Sequence, residues 1–140
     1  MTTKYYHGSN NTEIKELEPR VSTHGHAWVY ATTNPVIAAY FGGNSDDYHM
    51  RMGIDESGMP YAYELYKDGF DESFNGVKAA IYELEDSGFE SGKTPWSAEV
   101  VSPNKTKVKK TTIINDLGAY LRKSSEEGKF KLYFYENTPE

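Results

Sequence analysis

The sequence predicts an α+β fold, rich in short strands and carrying two modest helices. Three observations lead there. Short runs of aromatic and β-branched residues, bounded by Gly, Pro, Asn or Ser, recur along the chain and read as strands. Two other stretches carry helix starts and helical periodicity. Finally, 14% of the 140 residues are Phe, Trp or Tyr, a content that disordered chains lack, so the low mean hydropathy of -0.74 reflects a polar surface. The length fits one domain, residues 1–140, and a chain of this size buries roughly 68% of its unfolded surface.

The elements follow in order. Tyr5-Tyr6-His7-Gly8-Ser9 reads as a strand running into a glycine turn. Asn10 to Val21 reads as loop with one helical turn, anchored by Ile14 and Leu17 and ended near Pro19. Ala27 to Ala31 is a strand by composition. Thr33 or Asn34 caps a helix whose first position suits Pro35, and Gly42-Gly43 stops it after Phe41. Asn44 to Met59 is polar and glycine-containing, a mobile loop by composition. Tyr61 to Tyr66 and Ala79 to Leu84 read as strands, the first with a helical alternative, joined through Gly69 and Gly76. Asp86 to Pro95 is a second loop. Ala98 to Ser102 and Thr106 to Lys109 are short strands around Pro103-Asn104. Thr111 or Thr112 caps a second helix with Ile113, Leu117, Tyr120 and Leu121 on one face. Lys129 to Tyr135 alternates Phe130, Leu132 and Phe134 with polar-tipped residues, a half-buried strand.

Composition narrows the function classes. The formal net charge of -6 disfavours sequence-independent binding to nucleic acid or anionic lipid. With no cysteine in the sequence, disulfides, thiolate nucleophiles and Cys-ligated zinc are excluded. No apolar run of about 7–15 residues follows the first residues as a secretory signal requires. No stretch approaches the ~18 apolar residues of a membrane helix. The expectation is a cytoplasmic protein.

Three sets of residues carry candidate chemistry. In His7-Gly8-Ser9, a strand-end glycine lets the backbone approach a flat ligand, and Gly8 offers its N–H and C=O to an amide. Tyr30 ends a strand and Phe41 lies one helix later, so the two rings suit stacking on a planar ring. Glu99 leads directly into an apolar strand, where a carboxylate can sit at a cleft floor. Each set also has a plain structural reading, as a turn, as core aromatics and as a surface glutamate.

Together, in order and spacing, these residues resemble one known pattern. The chain is similar to the diphtheria-toxin-like branch of the ADP-ribosyltransferases, which includes the poly-ADP-ribose polymerases and is recognised by a His-Tyr-Glu triad. Tyr6-His7-Gly8-Ser9 resembles the first motif. Trp28-Val29-Tyr30-Ala31-Thr32 resembles the second, with Ala39 and Phe41 on the small residue and second stacking aromatic of the following helix. Ser97-Ala98-Glu99-Val100-Val101-Ser102-Pro103 resembles the third, and Val108 falls on a hydrophobic position beyond it. The motifs cover residues 5–9, 28–41 and 97–108.

The resemblance implies two small packed sheets, mixed or antiparallel, forming an NAD cleft with a few short helices. It implies mono-ADP-ribosyl transfer from NAD, a co-substrate, to a protein or small-molecule acceptor, or NAD hydrolysis, with no metal. His7 would hold the adenosine-side ribose, Gly8 and Ser9 the nicotinamide carboxamide, and Tyr30 and Phe41 the nicotinamide ring. Glu99 would bond the nicotinamide-ribose hydroxyl and favour departure of nicotinamide. The catalytic set is therefore His7, Tyr30 and Glu99. Two departures matter. Phe41 replaces a tyrosine and loses its hydroxyl, and Ser97 stands where arginine-modifying toxins carry Glu or Gln. The alternatives are an inactive NAD- or nucleotide-binding module of the same fold, or a related fold acting on an RNA 2′-phosphate.

Weaker sets remain. His24-Gly25-His26 offers two metal ligands without a third at diagnostic spacing. Lys105, Lys107, Lys109 and Lys110 read as a solvated face. Glu64, Glu83 and Glu136 are substitutes for Glu99 if the third motif lies elsewhere.

Overall fold

The structure, a computed structural model, describes residues 3–21, 27–43, 50–94 and 98–137. The chain opens with β1 (Tyr5–Ser9) and two short strands, β2 (Glu16–Leu17) and β3 (Arg20–Val21). β4 (Ala27–Thr32) leads into α1 (Pro35–Phe41). β5 (Met50–Ile54) and β6 (Pro60–Glu64) pair as a hairpin. Then come α2 (Gly69–Phe74), β7 (Ala79–Leu84), β8 (Glu90–Ser91) and β9 (Glu99–Ser102). β10 (Thr106–Ile114), α3 (Leu117–Glu126), β11 (Lys131–Tyr133) and a 3-10 turn over Tyr135–Asn137 follow.

The fold is α+β, with two open sheets of unequal size. The larger has eight strands in the order β2-β10-β7-β1-β4-β9-β8, with β3 added on β4. The smaller runs β11-β6-β5 and is mixed, because β11 lies parallel to β6 while β5 is antiparallel to it. A half-buried sheet must cover its apolar side, and here both faces of the large sheet are covered. One face packs α1 and α3 through Ala39, Tyr40, Ile81, Leu117 and Leu121, with Phe70, Phe74 and the small sheet's Met50 and Ala62 behind them. The other face buries Val29, Ala31, Ala80, Tyr82, Leu84 and Val100 beneath Ile14, Leu17 and Phe89. Tyr82 pins this covering segment: its hydroxyl donates to the Asn11 carbonyl and accepts from Ile14 N at 3.1 Å.

The first helix begins where its sequence dictates. Asn34 Oδ1 accepts from Val36 N at 2.9 Å, and Pro35 occupies a position whose N–H has no helical partner. Several expectations are corrected. The 10–21 stretch holds β2 and β3 rather than a helical turn, because Leu17 pairs with Thr106 and Arg20 with Trp28. The expected 44–59 loop contains β5, closed onto β6 by Asp55, which accepts from Ser57 N at 2.9 Å and Met59 N at 3.0 Å. A third helix, α2, fills the 69–76 connection. It carries Phe70 and Phe74 into the core but lacks a side-chain cap. The last helix starts six residues after Thr111: Asp116, not a threonine, accepts from Ala119 N at 3.2 Å, and Ile113 belongs to β10. The 86–95 loop includes β8. The final strand is three residues long, with Phe130 buried just before it and Phe134 exposed just after.

Candidate functional site

The site grows from the middle of the large sheet, where β1, β4 and β9 lie side by side. Between β9 and β4 the ladder is continuous, from Thr32↔Glu99 to Val29↔Ser102. Between β1 and β4 it holds at one position only, Tyr6↔Thr32. Beyond that bridge the strands diverge, because β1 continues on β7 as far as Ser9↔Ala80 while β4 takes β3 as its partner. His7 reaches across the opening: its Nδ1 lies 3.0 Å from the Tyr30 carbonyl oxygen. A carbonyl only accepts, so Nδ1 carries the proton and, in the neutral ring, Nε2 is left as an acceptor. Burial lowers the His7 pKa below the usual imidazole value. The Tyr30 bond opposes that shift, and the nearby Arg20 charge adds to it. The neutral form is the one the fold favours.

A cavity of about 250 Å³ lies at this opening, lined by His7, Ser9, Asn11, Ile14, Leu17, Glu18, Arg20, Trp28, Val29 and Tyr30. Its aromatic wall is Trp28 and Tyr30, edge to face with ring centroids 6.2 Å apart. Ser9 Oγ already accepts from Asn11 N at 3.0 Å, which leaves its hydroxyl proton available to a ligand. The volume is below the ~300–1,000 Å³ of sites that enclose a drug-sized molecule, so the cavity would take in a smaller molecule or one part of a larger one.

The remaining candidates stand around this opening in different ways. Gly8 has a reason of its own: a Cβ there would sit 1.6 Å from the Ala38 carbonyl oxygen, so the missing side chain admits the backbone of α1. Phe41 ends α1, 54% exposed and edge to face on the buried Tyr40. Glu99 opens β9, half-buried, and among the described residues no hydrogen bond or ion pair engages its carboxylate. Register puts Tyr30 and Glu99 on one face of the sheet, since Thr32 faces Glu99 and stands two residues from Tyr30. His7 leaves β1 on the other face, beside Tyr82, while Gly8 points with Ile81 toward α1. The fold thus joins His7 to Tyr30 across the opening and brings Glu99 to the adjoining strand, without a hydrogen bond from Glu99 to His7.

The substitute acids have other occupations. Glu64 is 4% exposed, and its two oxygens accept from Phe70 N at 2.9 Å and Tyr135 N at 2.8 Å, tying α2 and the 3-10 turn to β6. Glu83 sits between Lys4 and Lys109, each at 3.8 Å. Glu136 is exposed in the 3-10 turn. In the lysine run, Lys105 pairs with Glu16 and Glu18 at 3.3 and 3.4 Å, and Lys107 and Lys110 are exposed, as on a solvated face. His24, His26, Trp96 and Ser97 lie outside the described residues.

Of the cavity wall, sequence reasoning assigned a site role only to His7, Ser9 and Tyr30; among those it missed are Arg20 and Trp28, register partners on β3 and β4. The available signals were an isolated arginine after Pro19 and a tryptophan two residues before Tyr30. No family model, no curated protein and no solved structure matches the chain.

Proposed function

We propose that this chain transfers ADP-ribose from NAD to an acceptor, releasing nicotinamide, on an ADP-ribosyltransferase-like fold. The observation that carries this reading is the opening between β1 and β4, bridged by His7 and Tyr30, with Glu99 on the next strand. All three motif residues come from adjacent strands in the middle of one sheet. Neutral His7 with a free Nε2 suits a sugar hydroxyl as donor. Tyr30 and the exposed ring of Phe41 suit a planar, electron-poor ring.

The chemistry follows from the leaving group. Nicotinamide departs with the electron pair of the glycosidic C–N bond and so loses its own positive charge. Charge develops on the ribose as in glycoside hydrolysis. A carboxylate held beside it, with no other partner to neutralise it, stabilises that charge. An acceptor lone pair then forms the new bond to the ribose carbon, and an acceptor proton passes to water. Water as acceptor gives NAD hydrolysis.

A binding module without turnover is the second reading. It is favoured by the register that sends His7 and Glu99 from opposite faces of the sheet. Incubation with NAD labelled separately in its nicotinamide and its adenosine decides between them. Release of free nicotinamide supports turnover, and label retained on a co-incubated acceptor supports transfer. Measurable NAD binding with no release under any condition supports the binding module.

A further inference from the structure

Three side chains that line the β1–β4 cavity can carry charge: His7, Glu18 and Arg20. His7 is held toward its neutral form. Glu18 is engaged by Lys105, whose Nζ lies 3.4 Å from its Oε1 and is shared with Glu16 at 3.3 Å. Arg20 has no ion-pair partner among the described residues. The cavity therefore presents one guanidinium that, among the described residues, no carboxylate engages directly, in a chain of net charge -6. A fixed cation of this kind is a specific attraction for an anion, against the repulsion of the whole. Its place is set by the sheet: Arg20 is the register partner of Trp28, whose ring meets Tyr30 at 6.2 Å. One wall thus carries an aromatic pair and a planar, always-charged fork side by side.

We propose that Arg20 is the residue that binds the phosphate-bearing part of the ligand, receiving the diphosphate of a dinucleotide while the Trp28–Tyr30 wall takes a ring. The identity of the ligand rests on the NAD reading; the preference for an anion rests on the guanidinium that no carboxylate engages. Guanidinium to phosphate is a paired, charge-assisted contact, and lysine reproduces the charge without the fork. Arg20 acts on affinity for the anionic half and leaves recognition of nicotinamide alone.

The test uses two ligands that divide the dinucleotide. ADP-ribose carries the diphosphate and no nicotinamide; nicotinamide carries no phosphate. Calorimetry on wild type, Arg20→Ala and Arg20→Lys is expected to show ADP-ribose affinity falling roughly ten- to a hundred-fold in Arg20→Ala, the scale of a lost charged hydrogen bond. Arg20→Lys should recover part of it. Nicotinamide affinity should be equal in all three. Raising the salt concentration should weaken ADP-ribose binding to wild type more steeply than to Arg20→Ala. Thermal unfolding of both variants checks the fold, and because Arg20 is exposed little change is expected. Equal ADP-ribose affinity in wild type and Arg20→Ala, with both ligands bound, overturns the assignment of Arg20 and leaves the NAD reading standing. Wild type that binds neither ligand overturns the NAD reading and this proposal with it.

Discussion

His7 Nδ1 donates to the Tyr30 carbonyl at 3.0 Å, across the opening where β1 and β4 part company. The contact links two motif residues 23 positions apart in sequence through a backbone atom. It therefore survives any change of the Tyr30 side chain, and the two residues can be probed separately.

Tyr30 is probed through its ring. Tyr30→Ala should weaken NAD or nicotinamide binding by about 1–3 kcal/mol, the scale of a lost stacked aromatic. Tyr30→Phe should cost less, because the face remains. Calorimetry that returns one affinity for wild type and Tyr30→Ala would remove stacking at this position.

His7 is probed through pH. Its pKa is lowered in the folded state, so folding favours the neutral ring. The sign follows: the stabilisation is complete above the usual imidazole value of about 6.5 and is lost as pH falls through the lower folded value. Wild type should therefore lose stability relative to His7→Gln as pH is lowered from about 7 to about 5. Thermal unfolding of both proteins across that range measures it, and a difference that stays constant with pH would contradict burial of a neutral imidazole.

Gly8 is probed through packing. A methyl group there meets backbone, the Ala38 carbonyl at 1.6 Å, and not a side chain that can turn away. Gly8→Ala should destabilise by about 1–3 kcal/mol or more, as overpacking does when the neighbour cannot yield. Chemical denaturation gives the number. An unchanged midpoint would mean that α1 sits further from β1.

Glu64 is probed through stability. Its oxygens each accept a backbone N–H, from Phe70 and from Tyr135. Glu64→Gln turns one acceptor into a donor facing a donor, at a cost of about 1–3 kcal/mol. The melting temperature should fall by several degrees. A loss of activity in this variant would report on folding, which disqualifies it as a neutral control for Glu99.

Part of this architecture is legible in the sequence, and the limits have physical causes. The first helix is plain because Asn34 and Pro35 announce it and an apolar run follows. The start of α3 is obscured because Thr111 and Thr112 resemble caps and Ile113 falls on the helical period by coincidence. β10 continues through them with both faces open from Lys109 to Ile113, so it shows no alternation to read. β2 and β3 are two residues each and exist through their partners on β10 and β4. Residues 7, 30 and 99 could be singled out because motif order marks them. Arg20 could not, because its weight comes from the fold, which draws Glu18 and Glu16 to Lys105 and places Arg20 opposite Trp28.

The decisive prediction concerns Glu99. The carboxylate is half-buried, sits on the strand beside β4 and has no partner among the described residues. Glu99→Gln keeps its shape and removes its charge. If that charge meets positive ribose in the transition state, its loss acts on the reaction far more than on bound NAD. The rate should fall roughly 10²–10³-fold while NAD affinity stays within a few-fold. Glu83→Gln and Glu136→Gln are the proper controls, one ion-paired and one exposed, and should leave the rate near wild type. Single-turnover release of nicotinamide is the measurement, because hydrolysis needs no knowledge of the acceptor. Full release from Glu99→Gln would exclude Glu99 as the working acid. A wild type that binds NAD and never releases nicotinamide would instead leave the cleft as a binding site, with the opposite-face register of His7 and Glu99 as its structural cause.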